Sequence, residues 1–238
     1  MDFFSHLDLP HVKYAFYDLL LNNKGIAEDI QKEIKPLSAQ NLLVIGNVGV
    51  ARELMNKGFF VTIFAMSDEM KNYARKQLPT ANVIVGDVKN SNFREKFDSI
   101  ICLGDTLSHI VDDRDVHMAL ANFHKMLKYG GVILLENLTA SKVLENTSEN
   151  IITKVENNDV KIKRTSSLKI VGEKPPTALW KVTYELMQNG QRNIYEENFR
   201  IRGFTENEIE RFLKATNFEL VKFLTSQKGN NFVTIARK

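Results

Sequence analysis

The chain has 238 residues, of which 43% are apolar and 26% charged, with a formal net charge of +3. That length suggests one domain with an insert or two small ones, at about 150 residues per domain, and so small a charge gives no argument for nucleic acid or an anionic membrane as partner. A single cysteine, Cys102, excludes an intrachain disulfide framework and fits a reducing, cytoplasmic setting. No stretch reaches the roughly 18 apolar residues of a membrane span, and Met1-Asp2-Phe3-Phe4-Ser5-His6 has no apolar run of signal length.

Residues 11–23 place Val12, Ala15, Phe16, Leu19 and Leu20 at helical spacing. Pro10 stands near the start, where proline is tolerated, and Gly25 is expected to end this helix. Residues 26–34 give a second helix, closed by Pro36. The apolar run Leu42-Leu43-Val44-Ile45 breaks at Gly46-Asn47-Val48-Gly49. Glycines there let the backbone turn tightly and approach a ligand at the start of the next helix, residues 50–56. A second apolar run covers 59–65, and Ser67 caps a helix over 68–77 with an acidic first turn. The third strand ends at Gly86-Asp87 and the fourth covers 98–103. A helix over 115–127 and Gly130-Gly131 lead into Val132-Ile133-Leu134-Leu135. Apolar runs alternating with helical pattern predict a parallel sheet covered on both faces, with ligands at the carboxyl ends of its strands.

From Ser141 the texture changes to alternation, and Asn189-Gly190 is a strong hairpin turn. Residues 141–203 read as an antiparallel insert. Thr205-Glu206-Asn207-Glu208 is a capping box opening a helix over 209–216. Runs at 219–224 and 232–236 close the sheet as a hairpin. The division is therefore N-terminal helices (1–40), a core (41–140 with 204–238) and the insert (141–203).

Cys102 lies in an apolar strand and reads as a buried thiol. His117 and His124 share a helical face with no further ligand at metal spacing, so they read as surface or partly buried residues and no metal is expected. The lysines between 154 and 169 read as the solvated face of the insert. Asp105, Ser108 and His109 follow the fourth strand. His109 can orient a substrate or take a proton; an ordinary loop residue is the alternative.

The order of these pieces resembles the class I S-adenosyl-L-methionine (SAM) dependent methyltransferases, small-molecule members especially. Gly86-Asp87-Val88 is similar to their adenine-contacting segment. Lys96-Phe97-Asp98-Ser99-Ile100-Ile101-Cys102-Leu103-Gly104-Asp105-Thr106-Leu107 is similar to their fourth strand and following loop. Leu127-Lys128-Tyr129-Gly130-Gly131-Val132-Ile133-Leu134 is similar to their "LKPGG" turn, with Tyr129 in place of proline. The resemblance covers residues 42–137 and, more loosely, the last helix and hairpin. It implies an α/β, Rossmann-like methyltransferase fold: a mostly parallel seven-stranded sheet with helices on both faces, and an antiparallel insert as lid or acceptor wall. It implies SAM as cofactor and a small-molecule substrate, and leaves the oligomeric state open. The cofactor residues it implies are Gly46, Asn47, Gly49, Met66, Asp87, Val88 and Leu103; the substrate pocket would use Tyr14, Tyr17, Asp105 and His109. No catalytic side chain is required, because the sulfonium is already activated and orientation supplies much of the rate.

Two departures stand out. The glycine loop is about two residues shorter than the family's G-x-G-x-G form. Ala65 stands where the family carries a carboxylate that accepts both ribose hydroxyls, a bond worth roughly 1.5–3 kcal/mol. They motivate a second reading, a catalytically inactive protein of this fold serving as a binding or regulatory subunit. A third reading is a nicotinamide-dependent oxidoreductase. Val44-Ile45-Gly46-Asn47-Val48-Gly49 loosely resembles a dinucleotide fingerprint, but its first glycine position is Val44.

Overall fold

The structure is a computed structural model that describes residues 9–91, 96–145, 150–225 and 230–238. Residues 1–6, read above for a signal sequence, lie outside them. Five parallel strands form most of the main sheet: β1 (Asn41–Ile45), β2 (Phe60–Ala65), β3 (Asn82–Val85), β4 (Phe97–Cys102) and β5 (Leu127–Leu138). The closing hairpin, β10 (Glu219–Thr225) and β11 (Asn231–Arg237), joins through β11, which runs antiparallel to β5. The order across the sheet is β10-β11-β5-β4-β1-β2-β3. The direction of winding reverses between β1 and β4. Their diverging connections open a crevice at the carboxyl ends, the place where such sheets take ligands.

Alternate residues of the central strands go to opposite faces. Leu42 and Val44 of β1 and Ile63 of β2 pack with α1 (Val12–Leu20), α2 (Asn23–Ile34), α3 (Val48–Asn56) and α4 (Asp68–Gln77). Leu43 and Ile45 join Ile100 and Cys102 under α5 (Asp113–Met126) and α7 (Glu206–Ala215). Cys102 is fully buried, and burial pushes its thiol pKa up to about 12. His117 lies 3.3 Å from the Ala215 carbonyl and His124 packs edge-on to Phe218, so both serve the contact between α5 and the end of α7.

After α6 (Ala140–Leu144) the chain builds a second sheet, β6 (Ile151–Glu156), β7 (Val160–Glu173), β8 (Pro176–Gln188) and β9 (Gln191–Arg202), antiparallel throughout. Asn189 and Gly190 both have positive φ (52° and 74°), as a two-residue hairpin turn demands. The sheet's inner face carries Ile162, Val182 and Tyr184 into the same core as α1, and Phe16 meets the Tyr184 ring at 5.6 Å. The exit of β9 is fixed by Arg202. Its buried guanidinium donates to the Val111 carbonyl (3.0 Å), Asp113 (2.6 Å) and Glu208 (3.0 Å).

Several boundaries differ from the sequence reading, each for a local reason. Gly25 does not end α1. The Asn22 side chain accepts the Gly25 N–H at 3.1 Å and caps α2, which begins at Asn23. Gly49 is not a loop residue. Asn47 Oδ1 accepts the Val50 N–H at 2.9 Å, so α3 begins at Val48 and Gly49 falls in its first turn. The Gly130-Gly131 turn lies within β5, which is extended at one end by pairing with Phe97 and at the other by β11.

Candidate ligand-binding site

A cavity of about 360 Å³ opens at the carboxyl ends of β1, β2 and β4 and lies beneath α1 and the inner face of the second sheet. Its floor is shaped by two close approaches. Gly46 has φ +89°, and a Cβ there would overlap the Leu103 carbonyl and the Thr106 hydroxyl. Thr106 Oγ1 donates to the Leu103 carbonyl at 2.7 Å, and the Leu103 N–H donates to Ile45 at 3.0 Å. The ends of β1 and β4 are thereby pinned together. Gly104 and Asp105 follow, both left-handed (φ 67° and 54°), which turns the Asp105 side chain into the cavity.

Asp105 is not alone. The Asn231 side-chain amide nitrogen donates to Asp105 Oδ1 and to Glu136 Oε1, each at 3.0 Å. The Gly104 N–H donates to Glu136 Oε2 at 2.7 Å. Burial, and then the like charge of Glu136, raise the Asp105 pKa to about 7.

The roof begins with α1. Asp18 anchors that helix to the core, accepting from Arg52 (2.7 Å), Tyr73 (3.2 Å) and Asn23 (3.0 Å). A Cβ on Gly49 would overlap both Asp18 and Asn23, so this glycine is the floor on which the N-terminal helices sit. So held, α1 presents Lys13, Tyr14 and Tyr17 to the cavity. The Tyr14 hydroxyl lies 3.2 Å from Ser67 Oγ, and its ring stacks on Tyr73 at 5.5 Å. Lys13 forms an ion pair with Glu197 of β9, which also accepts from the Tyr195 hydroxyl at 3.2 Å. Burial, the largest single effect, works against the Lys13 charge, but the hydrogen bond to Glu197 and the charge interactions with Tyr14, Glu197 and Tyr195 together outweigh it, and the Lys13 pKa is raised. Burial raises the Tyr17 pKa as well, against the nearby Arg164 cation. The far wall is aromatic, with Trp180 and Phe199 at 5.3 Å and His109 against Phe199 at 4.7 Å. Desolvation and the Lys13 cation lower the His109 pKa, with Glu197 opposing.

Of the residues implied by the resemblance, Tyr14, Tyr17, Gly46, Asn47, Met66, Asp105 and His109 line this cavity. Gly49, Asp87, Val88 and Leu103 do not. Asp87 is exposed and accepts the Lys89 N–H at 2.9 Å, while Val88 is buried in the core under α5. Sequence reasoning missed Lys13, Ser67, Trp180, Tyr184, Glu197 and Phe199, all in the lining. The period-2 spacing of Trp180 with Tyr184 and of Glu197 with Phe199 was the available signal, since it puts each pair on one face of its strand.

Residues 43–131 match the family model described as a methyltransferase domain. Over these residues the chain is similar to a methyltransferase domain. The dinucleotide reading is set aside with it. The domain's fold is the class I methyltransferase fold. The solved structure of Streptomyces venezuelae DesVI superposes with a TM-score of 0.85 at 19% identity, covering 97% of this chain and 98% of that one. SAM-bound CalS10, an amino pentose methyltransferase from Micromonospora echinaspora, superposes at 0.78 with 18% identity and 98% of both chains. In sequence, a dTDP-3-amino-3,4,6-trideoxy-alpha-D-glucopyranose N,N-dimethyltransferase of Streptomyces venezuelae is 27% identical over 109 residues, 45% of this chain and 46% of the relative. The chain thus spans less than half the length of this relative, and about a fifth of a glycine/sarcosine N-methyltransferase matched at 34% identity. Among the described residues no helix is long and apolar enough to cross a membrane.

Proposed function

We propose that the chain is a SAM-dependent methyltransferase that methylates an amine of a small molecule, an amino sugar or a close analogue. The observation that carries this reading is the cavity at the carboxyl ends of β1, β2 and β4, where two carboxylates and an aromatic wall face one another. Carboxylates and aromatic faces both favour positively charged, onium-type ligands. Likeness to sugar N-methyltransferases extends over almost the whole chain, second sheet included. The inactive-subunit reading finds no such support.

Of the residues that the resemblance implies for SAM, Gly46, Asn47 and Met66 line the cavity. Gly46 and Asn47 leave the end of β1 open to a ligand, and Asn47 caps α3 there. At the end of β2, Ala65 offers no carboxylate, and the polar groups at hand are the Ser67 and Tyr14 hydroxyls. SAM supplies a methyl group already activated on sulfur. The chain's own residues then have to hold an amine in line with it and keep water out, which is the role proposed for Trp180, Phe199 and α1. Residues 141–203 supply the acceptor wall on this reading.

The test is thermal unfolding with excess SAM and, separately, S-adenosylhomocysteine. At about 100 times the dissociation constant a ligand adds ~2.7 kcal/mol, a shift of several degrees at roughly 2–4 °C per kcal/mol. A shift with both is expected; no shift with either at millimolar concentration overturns the proposal.

A further inference from the structure

Two carboxylates face the cavity, and their charges are provided for very differently. Glu197 has its cation, Lys13, and a hydroxyl donor, Tyr195. Asp105 has neither. Its Oδ1 shares the Asn231 amide with Glu136, and among the described residues its Oδ2 has no hydrogen-bond partner. Among the described residues, the donors to Glu136 behind it are neutral, the Asn231 amide and the Gly104 N–H. Among the described residues no lysine, arginine or histidine forms an ion pair with either group. Lys13 is committed to Glu197, and the His109 ring is laid against Phe199. Two acids joined through one amide, with no cation paired to them among the described residues, make a site short of one positive charge. Asp105 lines the cavity, and Glu136 stands behind it.

We infer that Asp105, backed by Glu136, seats a cationic centre of the bound ligand. This rests on the methyltransferase reading, in which three such centres exist: the sulfonium and the α-ammonium of the methyl donor, and the ammonium of the acceptor. Asp105 is on this account a positioning residue that discriminates by charge. With the sulfonium as occupant, the attraction of Asp105 is lost when the donor becomes S-adenosylhomocysteine, which favours release of the spent donor.

The experiment is titration calorimetry at pH 8 on the wild type, Asp105→Asn and Glu136→Gln. Asparagine tolerates the left-handed backbone of position 105, and the unfolding midpoint of each variant is recorded to establish folding. SAM and S-adenosylhomocysteine are titrated separately. The S-adenosylhomocysteine-loaded protein is then titrated with 3-amino-3-deoxyglucose and with glucose, followed by NMR shifts. If the sulfonium is the occupant, Asp105→Asn weakens SAM about tenfold, the scale of one charge-assisted contact, and S-adenosylhomocysteine less than twofold. If the donor's α-ammonium is the occupant, SAM and S-adenosylhomocysteine weaken alike, about tenfold; if the acceptor's ammonium is the occupant, both cofactor forms bind the variant as before and only the amino sugar loses its advantage over glucose. Equal affinities of wild type and Asp105→Asn for all four ligands overturn the inference while leaving the methyltransferase reading intact. Failure of the wild type to bind either cofactor form overturns that reading, and the inference falls with it.

Discussion

Single side chains show where this protein accepts a local cost. Asp105 takes a left-handed backbone at φ 54° and a place beside Glu136. Its pKa in the folded chain, about 7, lies above the ordinary carboxylate value of 3.8. The unfolded chain therefore releases this proton at lower pH than the folded one, and stability falls as pH rises between those two values. Asp105→Asn is expected to raise the unfolding midpoint at pH 8 and to change it little at pH 4; an equal effect at both would show that the carboxylate is not under strain. Gly49 shows the opposite economy, an absent side chain that makes room. Its Cβ would overlap Asp18 and Asn23, so Gly49→Ala is expected to cost about 1–3 kcal/mol, as overpacking does, read by urea unfolding. The same substitution acts on the cavity only through the placement of α1.

Between elements, the ties that matter are those that carry the second sheet onto the first. Arg202 at the end of β9 reaches Asp113 at the start of α5 and Glu208 in the first turn of α7. Truncating it takes the cation from Glu208, leaves Asp113 with only Arg211 at 3.8 Å, and opens a hole beside Phe204 and Phe212. Because Asp113 is 61% exposed and can be solvated, Arg202→Ala is expected to destabilise by about 1.5–3 kcal/mol, the scale of a hydrogen bond to a charged group, measured by denaturant unfolding. The α7 start is held more lightly by the capping box of Thr205 and Glu208, both halves of which are present. Thr205→Ala should cost about 1 kcal/mol, and a loss as large as that of Arg202 would mean the cap was supporting the sheet junction too.

At the scale of the whole molecule, the cavity is built by three separate parts of the chain. The parallel sheet supplies its floor, α1 one side of the roof, and β8 and β9 the other. A ligand there bridges all three, so SAM should slow amide exchange within Val12–Leu20 and Gln191–Arg202 as well as at the ends of β1 and β4. Protection confined to the parallel sheet would place the ligand elsewhere.

The sequence by itself determined the alternation of strands and helices, the glycine turn, the two capping motifs, the hairpin at Asn189-Gly190 and the antiparallel character of the later chain. These follow from local rules: apolar periodicity, backbone freedom and side-chain caps act within a few residues. It also pointed to the strand ends, and Asp105 and His109 were legible because they directly follow β4. What only the tertiary structure decided is which distant residues meet. Glu197 faces Lys13 across 184 positions, and Asn231 joins Asp105 to Glu136 across 126 and 95. Gly49, read as part of a ligand loop, lies instead under the N-terminal helices, because the packing of Asp18 and Asn23 against α3 is a long-range contact that no spacing in the chain records. Charge pairing and close packing depend on distance in space, and that is set only when the two sheets and α1 close on one another.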